Sequence, residues 1–390
     1  MTATDLRDAV LGRRGAFLER LAHLVALESP SRDVAAVGRC GDAVTELLLG
    51  TGFEVATIAA TGVADHVVGR MPGGPGPRTL VLAHMDTVWP VGTLREMPFE
   101  IDGDVARGPG TQDMKAGLVA AITAAEVAAL VGLAGPLTLA VTTDEEIGSP
   151  DSAERILSWC LDHDRVLVVE AGRDDGALKV GRKGGGRIHA TFRGRSAHAG
   201  NHPEAGASAL RELAAFLPWV EALADERAGT TVNVTVASGG SVTNQIAEGA
   251  EAWADVRFLD PSERGRLEAT ATTYRPRDDR VAVDVEIALG MPPMARTPSN
   301  TALFERVVTL GAAMGIVVSG AVVGGGSVGN LTSDAGIATL DGIGCVGGGP
   351  HARHEHVRIQ ETLERAALMA ALFADGPGID RSDVRRAGGR

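Results

Sequence analysis

Cysteine is scarce in this 390-residue sequence: Cys40, Cys160 and Cys345 stand far apart and form no CxxC pair. That scarcity excludes a disulfide framework and a thiolate zinc site, and it fits a reducing, cytoplasmic setting. Positive charge is also short, with 37 Lys and Arg against 50 Asp and Glu and a formal net charge of -13. Nucleic acid and anionic membrane surfaces bind through clustered cations that displace counterions, so neither is expected as a main partner. The N-terminus, Met1-Thr-Ala-Thr-Asp-Leu-Arg, has no basic stretch followed by an apolar core, and no secretory signal is expected. The most apolar run, 117–141, carries Glu126 and a Gly135-Pro136 break. It reads as a buried helix followed by a short buried strand, each too short to span a bilayer.

What is present is an ordinary globular composition, 44% hydrophobic and 22% charged, in a chain long enough for two domains. Apolar spacing predicts helices over 5–27 and 34–49. Strands follow at 79–84, 137–142 and 165–170, short β-branched or leucine runs that each end at a polar residue. Such runs alternating with helices predict an α/β fold with a mainly parallel sheet covered by helices on both faces. Ligands of these sheets bind at the carboxyl ends of the strands, where the polar residues fall. From about Gly184 the pattern becomes strand 187–192, helix 206–223, strands 231–237 and 250–258, and a last strand 281–289. This is an α+β unit inserted into the larger domain. The expected organisation is a catalytic domain over 1–183 and 293–375, an inserted α+β domain over 184–292, and a disordered tail over 376–390. The second catalytic part is expected to carry helices at 301–314 and 360–373.

Strand ends and following loops carry His84, Asp113, Glu145-Glu146, Glu170 and His351. Two histidines and three carboxylates suit a pair of divalent cations with one carboxylate between them. Asp86, two residues past His84 and on the same side of an extended strand, is placed to hold the other N–H of that imidazole. Glu145 and Glu146 suit different tasks, because neighbours in extended chain point opposite ways: one binds metal and the other faces the water. Isolated histidines such as His23, His66 and His163 read as surface or core residues.

These residues lie in ordered motifs: Leu82-Ala-His84-Met-Asp86-Thr-Val, Gly108-Pro-Gly-Thr-Gln-Asp113-Met-Lys-Ala-Gly117, Thr143-Asp-Glu145-Glu146-Ile-Gly148-Ser, Glu170-Ala-Gly, Ser196-Ala-His198-Ala-Gly200 and Gly349-Pro-His351-Ala-Arg-His-Glu355. With them nearly the whole chain resembles the zinc metallopeptidase family of bacterial glutamate carboxypeptidase, acetylornithine deacetylase, succinyl-diaminopimelate desuccinylase and the aminoacylases. The resemblance implies two Zn2+ per chain, one held by His84, Asp113 and Glu170, the other by Asp113, Glu146 and His351; these donors also accept Co2+ or Mn2+. It implies a cis peptide after Asp113, Glu145 as the general base and proton donor to the leaving nitrogen, and Asp86 as partner of His84. His198 would reach the site of a second subunit to stabilise the oxyanion, making the inserted domain both lid and homodimer interface. Asn244 and Arg257 resemble the substrate-carboxylate holders of the glutamate carboxypeptidase branch, Arg257 through its planar fork. The implied substrate is a dipeptide or an N-acyl amino acid, and the two differ only in the pocket walls.

One departure concerns the loop after the insert, which reads Gly325-Gly326-Ser327-Val328 where relatives carry an aspartate after the Ser or Thr. No metal ligand is lost there, but the substrate loop changes. Gly324-Gly-Gly326-Ser-Val-Gly329, with Asp341 downstream, formally fits a dinucleotide-binding GxGxxG. With 51 glycines such matches arise by chance, and this one lies late in the chain before a weak helix. A non-catalytic homologue that binds metal or an amino acid is the other alternative, and it is opposed by the intact Glu145 and ligand set.

Overall fold

The computed structural model describes residues 2–376, so the tail expected over 376–390 lies, beyond Gly376, outside the described residues. Contacts divide the chain into two units: Met1–Val180, Arg296–Val322 and Leu331–Arg390 form one, Gly181–Ala295 and Val323–Asn330 the other.

The larger unit opens with helices α1 (Ala3–Leu11), α2 (Arg14–Ala26) and α3 (Val34–Thr51). Strands β1 (Glu54–Ile58), β2 (His66–Met71) and β3 (Thr79–His84) follow, then short strands β4 (Glu100–Asp102) and β5 (Val105–Arg107). Next come α4 (Ala116–Ala129), β6 (Leu137–Thr142), α5 (Ser152–Leu161), β7 (Arg165–Val168) and β8 (Leu178–Arg182). The second unit contains β9 (Gly184–Arg193), α6 (Ala209–Glu221), β10 (Thr231–Gly239), β11 (Gly249–Phe258), α7 (Ser262–Ala271) and β12 (Ala282–Met291). The chain continues through α8 (Pro298–Ala313), β13 (Gly320–Val323), α9 (Val328–Asp334), β14 (Ala338–Asp341), β15 (Gly347–Gly348), β16 (His356–Arg358) and α10 (Ile359–Phe373).

Helix ends follow local chemistry. Thr2 and Asp5 close a capping box on α1, Asp33 accepts from the Ala36 N–H at the start of α3, and Gly52 ends that helix in the left-handed region. The single helix expected over 5–27 is two, because the Gly12 N–H closes α1 on Asp8 O at 2.9 Å and α2 restarts when Phe17 N–H bonds Arg13 O. Both turn apolar residues to one core, Leu6 and Val10 from α1, Phe17, Leu21 and Leu24 from α2. Helix α4 is buried all round and packs against α10, α2 and α3. Among the described residues no helix is long and apolar enough to cross a membrane.

The main sheet has eight strands in the order β1-β2-β6-β3-β7-β14-β8-β13. Its centre is parallel: β3 pairs with β6 and β7, and β7 with β14. An antiparallel flank, β1 on β2 and β2 on β6, precedes the first expected strand. Sequence periodicity misses it because β1 is a five-residue exposed edge and Gly69-Arg70 interrupt β2. The parallel strands are buried at every residue, and their carboxyl ends point the chain toward His84, the Glu145 turn and Glu170.

In the second unit the sheet runs β10-β11-β9-β12, with helices α6 and α7 on one face. Ile188, Phe192, Val256 and Phe258 point into that layer against Leu213, Phe216 and Leu267. The intervening positions of β9 and β11 turn the other way, where Trp253 stacks on His189 with ring centroids 3.7 Å apart.

Helix α4 reaches the sheet through a glycine. A Cβ on Gly117 would lie 1.9 Å from Val169 O, and one on Gly344 would meet the same carbonyl at 1.8 Å. Gly117→Ala is expected to lower stability by about 1–3 kcal/mol. Gly38→Ala, in α3 with open space around it, should raise stability by about 0.5–1 kcal/mol. Urea unfolding midpoints test both, and equal shifts would contradict the packing.

Candidate metal centre

His84 is the last residue of β3, and its Nδ1 lies 2.9 Å from the carbonyl oxygen of Asp86. A carbonyl only accepts, so Nδ1 carries a proton and Nε2 is the atom turned to the acids. Nε2 is 3.1 Å from Asp113 Oδ1 and 3.5 Å from Glu170 Oε1. Nε2 of His351 stands 3.2 Å from Asp113 Oδ2 and 3.2 Å from Glu146 Oε2. Asp113 therefore gives one oxygen to each imidazole, with Glu170 beside the first and Glu146 beside the second. Glu145 joins the group: ligand atoms of His84, Glu145 and Glu170 all lie within 4.8 Å of one another, as do those of His84, Asp113 and Glu146.

Each side chain is delivered by a turn. Asp113 sits in the irregular turn Thr111–Lys115 ahead of α4 with φ -118 and ψ 92, and the Asp113–Met114 peptide is cis. His351 has φ 60, a left-handed conformation that is uncommon outside glycine and costs on the order of 1 kcal/mol. Glu145 and Glu146 do not lie in extended chain as expected. They open a single helical turn, Glu145–Ile147, in which successive side chains diverge by roughly 120°.

Asp86 does more than hold His84. Its carbonyl is the near partner of His84, while its carboxylate Oδ1 stands 3.5 Å from Nδ1. The fully buried carboxylate also accepts from Ser31 Oγ at 2.6 Å, Glu145 N–H at 3.3 Å and Glu146 N–H at 3.1 Å. Asp86 thus orders the turn that carries both glutamates. Ser31 is one of three residues of this shell that motif reading assigns no role; buried Lys115, whose Nζ donates to Leu24 O and Leu27 O, and Glu355 are the others. The lysine and the glutamate are visible in the quoted motifs, but their partners are mostly backbone atoms and leave no sequence pattern.

Five carboxylates and two imidazoles share this space, which is buried at His84 and open at His351. Burial opposes charge on His84, but Asp113, Asp86 and Glu170 outweigh it and hold the imidazole well above its usual range. Contact with Asp113 raises His351 to about 9. Burial, with Glu170, Asp113 and Glu146 acting against the pull of His84, pushes Glu145 up to about 8. Burial likewise lifts Glu146 to about 7. Glu146 Oε1 is buried with no hydrogen-bond partner. Crowded acid oxygens, one of them orphaned, together with two imidazole nitrogens form a donor set that fits divalent cations.

His198, Asn244 and Arg257 lie in the second unit. The exposed His198 Nδ1 accepts from the N–H of Gly200 at 3.1 Å and of Asn201 at 3.0 Å, which leaves the proton on Nε2. Asn244 is exposed, and its carbonyl accepts from Ala199 N–H at 2.9 Å, tying the two loops together. Arg257, in β11, passes over Gly185 and forks onto Asp255 with contacts of 2.8 and 2.9 Å. His202 faces solvent beside Glu204, and His354 is exposed. Val328 is the buried first residue of the short helix α9.

Residues 80–375 match the sequence model of the family described as Peptidase family M20/M25/M40. This chain belongs to that family. It is thereby a hydrolase acting on C–N bonds. Among M20 relatives, carboxypeptidase G2 of Pseudomonas sp. (strain RS-16) is 28% identical over 385 residues, covering 95% of this chain and 91% of the relative. A succinyl-diaminopimelate desuccinylase of Granulibacter bethesdensis is 27% identical over 370 residues, covering 85% and 91%. The crystal structure of aminopeptidase PepT from Bacillus cereus shares the fold with a TM-score of 0.77 at 22% identity, covering 93% of this chain and 98% of that one.

The raised pKa values predict how stability depends on pH once cations are removed. Glu145, Glu146 and His351 are all shifted above their ordinary values of 4.5, 4.5 and 6.5. Each stabilises the fold fully below its unfolded pKa and ceases to do so as pH rises through about 8, 7 and 9 in turn. In chelator, the melting temperature should fall as pH rises across this window, and added Zn2+ should reverse the loss. A chelated protein equally stable at both ends of the window in scanning calorimetry would contradict this.

Proposed function

We propose that this chain is a two-zinc hydrolase that cleaves an amide or peptide bond of a small carboxylate-bearing substrate, as a glutamate carboxypeptidase-like metallopeptidase. One observation carries the reading: Asp113 is shared between two imidazoles, each with a further carboxylate, while Glu145 is left over. In this reading His84, Asp113 and Glu170 hold one zinc, and Asp113, Glu146 and His351 hold the other. Bound there, the cations supply Lewis acidity toward a substrate carbonyl and toward water. Glu145 takes the proton of the attacking water and returns it to the leaving nitrogen, a role suited to a carboxylate buried away from solvent. Asp86 fixes the turn from which Glu145 acts.

The inserted unit supplies the rest of the reading. His198, with its proton on Nε2, offers a donor for the oxyanion, and we assign it to the site of a second copy in a homodimer formed through that unit. Asn244 and Arg257 receive the substrate carboxylate, the Arg257 fork exchanging Asp255 for the substrate. The likeness to carboxypeptidase G2 supports the peptidase reading. The nearly equal identity to a desuccinylase supports a second, an N-acyl-amino-acid deacylase of the acetylornithine deacetylase kind.

Glu145→Gln is expected to lower kcat by roughly 100-fold or more while zinc content stays at about two per chain. Unchanged turnover would remove Glu145 from the mechanism. On zinc-loaded protein, peptides ending in glutamate should be hydrolysed faster than N-acetyl, N-succinyl or N-carbamoyl amino acids. A preference for one of those acyl groups would replace the first reading by the second.

A further inference from the structure

We propose that Glu355 is a positioning residue of the metal centre, a buried carboxylate that sets the Asp113 turn and the His351 turn in place before any cation binds. The inference rests on the metal reading above, and it concerns a residue that reaches no proposed ligand side chain.

The small sheet β15-β16-β5-β4 prepares the geometry. β5 pairs antiparallel with β16, with His356 opposite Arg107. The chain therefore leaves β5 for the Asp113 turn at the point where the other segment arrives from His351. Glu355 stands at that crossing and is fully buried. Its Oε1 accepts from Gln112 N–H at 2.8 Å and Asp113 N–H at 3.1 Å. Its Oε2 accepts from Gly110 N–H at 3.0 Å and from the indole N–H of Trp89 at 2.8 Å. Two donors on each oxygen use the carboxylate fully, and hydrogen bonds to an ionised acceptor are stronger than neutral ones. Glu355 N–H in turn bonds Ala352 O at 2.9 Å and Ala352 N–H bonds Gly349 O at 3.0 Å, which closes the turn holding His351.

One side chain thus joins three segments: the loop that follows His84 and Asp86, the Asp113 turn and the His351 turn. Glutamine could not replace it. Its amide keeps a single acceptor oxygen, and its NH2 would face two N–H donors left without a partner in a dry site.

Hydrogen exchange and zinc affinity test the inference together. In chelated wild-type protein the amides of Gly110, Gln112 and Asp113 should exchange at least about 100-fold more slowly than in an unstructured peptide. Free exchange there until zinc is added would overturn the proposal, because the cation and not Glu355 would then order the turn. Glu355→Gln should bind zinc about 10- to 100-fold more weakly than wild type in competition with a chromogenic chelator. Trp89→Phe, which removes one donor of four, should stay within about 3-fold of wild type if an acid and not the indole sets the turn. A folded Glu355→Gln protein with wild-type zinc affinity would sink the positioning role alone, and wild-type protein that retains no zinc would sink the metal reading beneath it. Should Glu355→Gln fail to fold, the wild-type exchange measurement still decides.

Discussion

Crowding of acid groups in a partly buried place is the constraint on which this site is built. Like charges brought together in a poorly solvated space repel far more strongly than at the surface. Asp86, Asp113, Glu145, Glu146 and Glu170 nevertheless converge at the ends of the parallel strands. Protons or cations must balance them, and the two imidazoles can take either. The turns that carry these acids are held through their backbones. Asp86 pins the glutamate turn by its backbone amides, Glu355 pins the Asp113 turn by its amides, and α4 sits against the sheet with no room for a side chain between them. Rigidity here comes from backbone hydrogen bonds and close packing, and these cost little to form once the α/β layers are in place.

The sequence made much of this legible because the strongest signals are short and local. A run of β-branched and leucine residues ending in His84, or in Thr142 ahead of Glu145, states both a buried parallel strand and a polar group at its carboxyl end. The order strand, helix, two strands and a last strand in the insert is likewise written in alternation and spacing. What could not be read shares a different property: it depends on backbone partners or on distant chain. The carboxylate of Asp86 serves the amides of Glu145 and Glu146, 59 and 60 residues away, more closely than it serves His84. The break of the first helix at Gly12 depends on how its two halves face one core. The β1–β2 flank gives a weak signal because β1 is a short exposed edge and Gly69-Arg70 break the apolar run of β2.

The inserted unit shows how far side-chain identity alone can be carried. Arg257 reads as a fork free for a carboxylate, yet Asp255, two residues along the same strand, occupies it. Alternation in a strand puts i and i+2 on one face, so the pairing follows from the sequence once the strand is known. His198 illustrates the converse. Its identity says only that it can titrate or donate, whereas the two amides on Nδ1 decide which nitrogen carries the proton.

The two halves of the centre differ in shelter: the His84 side chain is 2% exposed and that of His351 is 52% exposed. Solvent therefore reaches one imidazole and not the other, and exchange of protons or ions with the medium is easier at His351 than at His84.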